Sequence, residues 1–463
     1  RTRSLAEVLE KIAERARVTP PGEVILTNSD WHEAQLAEQR LPLRRDLDSV
    51  VSSHPVVVVR GGHEYILNSA ALTKGNITTD TPVPAGGRIT RYPDGELNGE
   101  LVDTAKALVT LPPRPQPSFE ALLQDKQAEL DRLHAAGLTA IRHPGGPIEQ
   151  YRLYQELQRR GLLTMRVTQL LSVDRRGEPA AVEATVRSWK VEPDEGDAML
   201  RIGGIKLGVD GGFEVGFMRT AYAEPYGEGG RFRGLQTVTQ QRYNEILRVL
   251  NRLDWRAVTP CPGGPAPGPG LKGHHMVDQR EAHPGRRWGI EHGFIAMPDH
   301  FPRMRKLNLY VSAQNHLFVA GPSLVRYWGA QRAGLTTPVR SYLEAGVPIS
   351  GGTDAPVIPY PPLWVIYHFV TRDTISGGAL GADQRISRED ALRLVTRNHA
   401  YLSFEEDIKG TIEPGRYADM VVLGEDIMTV PEERMKDIEV LLTVVGGKVV
   451  FRHESLPAAG PVD

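Results

Sequence analysis

The side chains best suited to chemistry in this chain are His63, His143, Lys206, His292, His316 and Asp354. Asp354 closes the stretch Val347-Pro348-Ile349-Ser350-Gly351-Gly352-Thr353-Asp354-Ala355-Pro356, a short apolar run that ends in two glycines and a lone carboxylate. Such runs read as buried strands, and in α/β barrels the reactive groups sit where those strands end. Capping of the Ala-Pro turn is the alternative role for Asp354. Lys206, in Ile202-Gly203-Gly204-Ile205-Lys206-Leu207-Gly208-Val209-Asp210, lies mid-strand among apolar residues, where an unpaired ammonium is expensive to bury. It must find an anion such as Asp210 or Asp354, lose its proton, or react with carbon dioxide to give a carbamate that ligates metal. His292 ends Gly289-Ile290-Glu291 and is either a packed, hydrogen-bonded ring or a metal ligand. His143 opens the loop Pro144-Gly145-Gly146. His63 follows Arg60-Gly61-Gly62 and either faces substrate or closes a turn, and His316 follows Gln314-Asn315 as a substrate donor or a solvated loop residue. Several imidazoles and a carboxylate meeting at one place are what a divalent metal requires.

The elements that must bring these groups together alternate regularly after Pro117. Helical patterns over Phe119 to Ala136, Glu149 to Arg160, Ala180 to Trp189 and Gln240 to Leu253 separate the strands. Those strands run over Leu138 to His143, Leu163 to Leu171, Ile202 to Val209, Arg256 to Thr259, Trp288 to Glu291, Leu309 to Ala313 and Val347 to Ser350. Strands spaced by helices are parallel βα units, which predicts an α/β fold of the (β/α)8 TIM-like type. Seven strand ends fall between His143 and Asp354, one short of closure. The eighth comes either from Val56 to Val59 or from a strand upstream of Arg1. An open doubly wound sheet is the rival, but no Gly-x-Gly-x-x-Gly turn follows any of these strands. Residues 73 to 115, rich in Thr, Pro and Gly, read as surface loop or hairpin. Beyond residue 402 the texture changes to short strands, with Val440 to Phe451 a hairpin turning at Gly446-Gly447. The expected division is therefore 1–402 as the barrel, with an inserted segment near 50–115, and 403–463 as part of a small β-sandwich domain.

Composition narrows the partners. A formal net charge of −2 over 463 residues gives no reason to expect nucleic acid or an anionic membrane. A single cysteine, Cys261, excludes an intrachain disulfide, and its Pro/Gly-rich surroundings offer no base to make it a nucleophile. There is no apolar run long enough to span a bilayer and no signal-peptide core at Arg1 to Glu7, so a cytoplasmic location is expected. The expected partner is a small-molecule substrate; barrels of this size often pair, which leaves a homodimer open.

In order along the chain, Gly62-His63, Asn68-Ser69-Ala70-Ala71-Leu72, Lys206 with Asp210-Gly211, Ile290-Glu291-His292 and Gly352-Thr353-Asp354-Ala355-Pro356 form a recognisable series. It continues with Thr396-Arg397-Asn398-His399-Ala400, Gly410-Thr411-Ile412-Glu413-Pro414-Gly415, Ala418-Asp419-Met420-Val421-Val422-Leu423 and Val444-Val445-Gly446-Gly447-Lys448-Val449-Val450. Over nearly its whole length the sequence resembles the amidohydrolase superfamily, in the branch that includes N-substituted formamide deformylase. The resemblance implies a distorted barrel with a β-sandwich, and a metal-activated water attacking an amide-like carbon. It implies that Lys206 is a carboxylated, metal-ligating lysine, His292 the sixth-strand ligand and Asp354 the eighth-strand carboxylate that binds metal and moves the proton. His63 and His316, together with His143, are then substrate-pocket residues. It also makes the Val56 strand part of an insertion.

Two departures bear on the metal. The family's first strand ends in His-x-His, which occurs nowhere in this chain and would fall upstream of Arg1. Its fifth strand ends in a histidine, where this chain reads Val258-Thr259-Pro260-Cys261-Pro262-Gly263-Gly264, and residues 260–284 depart from the helical pattern. His274 or His275 could substitute there, although a solvated Gly/Pro-rich loop is the default for both. With those imidazoles missing, one divalent ion, zinc before others, is expected rather than two. The expected function is metal-dependent hydrolysis of a C–N bond in an amide, formamide or carbamate-like substrate. The alternative is a metal-poor, catalytically weak barrel that binds or assembles.

Overall fold

Short, mostly buried runs such as Arg166–Ser172 and Leu200–Lys206 form sheet interior because both of their faces are covered over most of their length, the mark of parallel strands under helices. The computed structural model of the protein describes residues 2–457 except 30, 114–116, 210, 213–214, 224–229, 261–284 and 377. Among the described residues there are three sheets.

The first has five strands: β1 Ile25–Leu26, β2 Val56–Arg60, β3 Glu64–Leu67, β4 Gly87–Arg91 and β5 Leu97–Asp103, in the order β1-β2-β3-β5-β4. β1 and β2 run parallel and the remaining neighbours antiparallel. The second is the functional scaffold, seven parallel strands in strict sequence order. They are β6 Ala140–His143, β7 Arg166–Ser172, β8 Leu200–Lys206, β9 Ala257–Pro260, β10 Gly289–His292, β11 Tyr310–Gln314 and β12 Ile349–Gly352. The third is an antiparallel set, β13 Met420–Leu423, β14 Val440–Val445 and β15 Lys448–Arg452. The last two turn at Gly446 and Gly447, whose φ of 56° and 80° glycine tolerates best. This third sheet has three strands. No described helix is long and apolar enough to cross a membrane.

Two helices that flank the parallel strands start on side-chain caps that the sequence supplies, whereas Ile148–Arg159 and Pro179–Ser188 start without one. Ser118 accepts from Ala121 N ahead of the helix Phe119–Ala135, and Thr239 accepts from Arg242 N ahead of Gln240–Arg252. Their apolar faces join the inward strand residues in one core that includes Tyr154, Leu171, Ile205, Leu247, Ile290 and Val311.

Three expectations change. β2 pairs with β1 and β3 and so does not complete the barrel. Residues 97–102 are buried strand rather than surface, because β5 lies between β3 and β4 and puts Leu97 and Leu101 into a core with Val57 and Leu67. Lys206 ends its strand rather than lying within it. Gly203 is an extra residue opposite the Gln169–Leu170 step, and Gly204, at φ 118°, comes so near that a Cβ would stand 2.7 Å from Arg256 O. Such a bulge re-aims the residues after it, here Ile205 and Lys206.

The five-stranded sheet is tied to the scaffold by a buried ion cluster. Glu33 accepts from Arg60 Nε at 2.8 Å and Nη2 at 2.9 Å, and from Ser323 Oγ at 2.9 Å and Tyr327 OH at 3.0 Å. Ser323 and Tyr327 lie on the helix His316–Trp328, so the cluster holds the element that begins with His316. Glu33 is fully buried and its carboxyl lies far below the usual carboxylate range; burial opposes this, and the Arg60 guanidinium outweighs it. Replacing Arg60 by Met would strand that charge. The expected loss is about 3–5 kcal/mol of unfolding free energy, read by urea titration, and an unchanged midpoint would contradict it.

Candidate metal centre

Parallel register lines up the C-terminal strand ends along one edge. His143 is level with Gln169, Ser172 with Lys206, Lys206 with Val258, His292 with Ala313, and Gln314 with Gly352. His292 is the last residue of β10. Two residues beyond β11 and β12 stand His316, at the first turn of its helix, and Asp354. Donor atoms of His292, His316 and Asp354 all lie within 4.8 Å of one another. His316 Nε2 is 3.5 Å from Asp354 Oδ2, and the two imidazoles meet edge to face with centroids 5.6 Å apart.

Backbone strain holds two of the three. His292 has φ 72° and Asp354 φ 61°, a left-handed region that side chains with a Cβ rarely occupy. Each such residue stores on the order of 1–3 kcal/mol, which the surrounding packing must offset. At His292 part of that packing comes from Phe294, which stacks on its ring at 5.2 Å and meets His316 edge-on at 4.9 Å. The imidazoles are closed off, whereas the Asp354 side chain keeps 23% of its surface exposed and gives the cluster its opening.

The electrostatics suit a cation. Burial, opposed by the Asp354 charge and reinforced by His316 and Lys206, pushes His292 down to about 4, so at neutral pH its ring is uncharged with a lone pair to offer. Burial alone would raise the Asp354 carboxyl. The hydrogen bond from His316 and the fields of His292, His316 and Lys206 instead hold it well below the ordinary carboxylate range. Two imidazoles and an ionised carboxylate are a donor set that zinc accepts.

The other expected residues are placed as follows. Lys206 ends β8, and its charge is felt by His143, Glu291, His292 and Asp354; no described carboxylate oxygen comes within 4.0 Å of its ammonium. Its expected partner Asp210 lies outside the described residues, as do Cys261, His274 and His275. His143 has a ring nitrogen 3.0 Å from Gln150 Nε2 and the other 3.2 Å from Gln169 Nε2, and burial lowers its pKa. His63, in the turn between β2 and β3, stands 2.6 Å from Asp103 Oδ1 and 3.1 Å from Gly212 N. Neither His143 nor His63 joins the three-residue cluster. His316, expected to face substrate, sits within the donor set. Glu291 stands out in the sequence only as the neighbour of His292, and Arg142 and Tyr310 do not stand out at all; charged residues inside the apolar strand runs at 140–143 and 289–292 were the available signal.

Comparison with known proteins agrees with this geometry. The family model described as Amidohydrolase family matches residues 1–451. The chain belongs to the amidohydrolase family. An N-substituted formamide deformylase of Arthrobacter pascens is 27% identical over 468 aligned positions, covering 97% of this chain and 83% of the relative. A putative amidohydrolase of Bacillus subtilis (strain 168), YtcJ, is 24% identical and covers 96% of this chain and 83% of its own length. Among solved structures, a metal-dependent hydrolase from Pyrococcus horikoshii OT3 superposes with a TM-score of 0.64 at 19% identity, over 93% of this chain and 82% of that one. That likeness concerns the fold.

Removing a donor of the cluster should remove cation binding. His292→Ala and Asp354→Asn are each expected to weaken zinc binding by more than the roughly 10–100-fold that loss of an outer partner brings. Calorimetry on the metal-free protein measures this, and wild-type affinity in both variants would contradict the site.

Proposed function

We propose that this amidohydrolase hydrolyses a C–N bond at an amide-like carbon, with one divalent cation, zinc first, held by His292, His316 and Asp354. The observation that carries this reading is the convergence of those donor atoms within 4.8 Å at the C-terminal edge of the parallel sheet. Lys206, whose charge reaches both His292 and Asp354, is the further donor in this reading once carboxylated. N-substituted formamides are the first substrate class to try, in view of the relative from Arthrobacter pascens. Simple amides, carbamates and thiocarbamates follow.

When bound, the cation supplies Lewis acidity, polarising the carbonyl and bringing the pKa of water towards neutrality. The residues of this chain do the remaining work. Asp354, ionised and open to solvent on one side, takes a proton from the attacking water and delivers it to the nitrogen as the C–N bond breaks. The water oxygen stays on the acyl carbon, so amide and water become acid and amine. His292 and His316 hold their positions against Phe294, whose ring excludes bulk water from the imidazole side.

The test is formate and amine release from a panel of N-substituted formamides by zinc-loaded protein. Turnover should vanish with chelator, return with one equivalent of zinc, and be lost in Asp354→Asn, which removes a metal donor together with the base. A protein that takes up zinc and releases neither product from any member would contradict the reading and favour a binding or assembly role.

A further inference from the structure

Behind His292 runs a closed chain of buried polar groups. His292 Nδ1 lies 2.8 Å from Gln314 Oε1, and Gln314 Nε2 lies 3.2 Å from Glu291 Oε2 and 3.1 Å from Ser312 Oγ. The other oxygen of Glu291 is ion-paired with Arg142 Nη1, and Arg142 Nη2 donates to Tyr310 OH at 2.8 Å. Glu291, Gln314 and Tyr310 are 1%, 4% and 1% exposed, so water does not compete for these bonds.

The directions of these bonds settle each other. A carboxylate paired with a guanidinium can only accept, so the edge of Gln314 facing Glu291 must be its NH2. The carbonyl edge therefore faces His292 Nδ1. A carbonyl also only accepts, so Nδ1 must carry the ring proton, which leaves the lone pair on Nε2. A free imidazole divides between its two tautomers; this one has had the choice made for it.

The chain also depends on the shape of the sheet. Arg142 is on β6 and Glu291 on β10, four places apart in the strand order. On a flat sheet four spacings of about 4.8 Å would separate them by about 19 Å, beyond the reach of two side chains. They touch because the sheet curls and the pair spans its hollow.

We infer that Gln314, oriented by Glu291 and Arg142, is a positioning residue that fixes His292 as the Nδ1–H tautomer and so turns its Nε2 lone pair towards a cation. The inference rests on the metal-centre reading for its consequence, though the tautomer itself does not require metal. Cation affinity is thereby coupled to sheet closure, since Arg142 holds Glu291 only in the curled form.

The test uses the near-isosteric variant Gln314→Met, with Glu291→Gln as a second variant that keeps the shape and removes the anion. Histidine-ring 15N NMR on the metal-free full chain should show Nδ1–H for His292 in the wild type and a shift towards Nε2–H in Gln314→Met. Zinc affinity by calorimetry should fall by about 10–100-fold in the same variant. Glu291→Gln frees the Gln314 amide to flip and should move both readouts the same way. A wild-type ring protonated on Nε2, or an unchanged tautomer and affinity in whichever variant folds, overturns the inference. A wild type with the stated tautomer that binds no zinc overturns the metal-centre reading and the link to a cation, while leaving the tautomer assignment standing.

Discussion

The ion pair between Arg142 and Glu291 spans the hollow of the parallel sheet and is the constraint on which the rest of the site depends. Both side chains are almost fully buried, where a lone charge would be very unfavourable and only a well-made pair is tolerated. Because each member needs the other, the two ends of the pair keep β6 and β10 within side-chain reach. The strand ends at His292, Gln314 and Gly352 then share one edge. A flatter sheet with the same strands would leave Glu291 charged and alone beside His292.

A second buried ion cluster fixes the helix that carries His316. Glu33 and Arg60 belong to the chain segment that builds the five-stranded sheet, yet Glu33 is completed by Ser323 and Tyr327 on the helix that starts at His316. One end of that helix is thus anchored by charge and the other presents an imidazole to the candidate centre. His292 and Asp354 both have left-handed backbone, and the ring of Phe294 packs on the His292 side chain. Left-handed backbone occurs elsewhere among the described residues, at Asn76 and Asp194 for example, but at His292 and Asp354 it falls on two members of the donor set, as a preorganised site requires.

Much of this was legible in the sequence, and the illegible parts share a physical reason. Seven parallel strands could be read from short apolar runs separated by helix-length spacers, and His292 and Asp354 stood out as polar residues at the ends of such runs. Lys206 was read as mid-strand because a bulge at Gly203 and Gly204 changes register without changing composition. β5 was read as surface because its neighbours are rich in Thr, Pro and Gly, while its burial comes from strands distant in sequence. His316 was read as a substrate-pocket residue rather than a metal donor, since only the start of its helix turns it back beside Asp354. Arg142 and Glu291 are 149 residues apart and carry no local signal that they are partners. What local pattern encodes was visible, and what long-range pairing decides was not.

The central claim is that His292, His316 and Asp354 point at one cation. Anomalous diffraction at the zinc edge from crystals of the zinc-loaded protein tests it most directly. The account predicts a peak among the three side chains, with donor distances of about 2.0–2.2 Å to the imidazole nitrogens and the carboxylate oxygen. Zinc bound elsewhere, with those side chains turned apart and no peak between them, would contradict it.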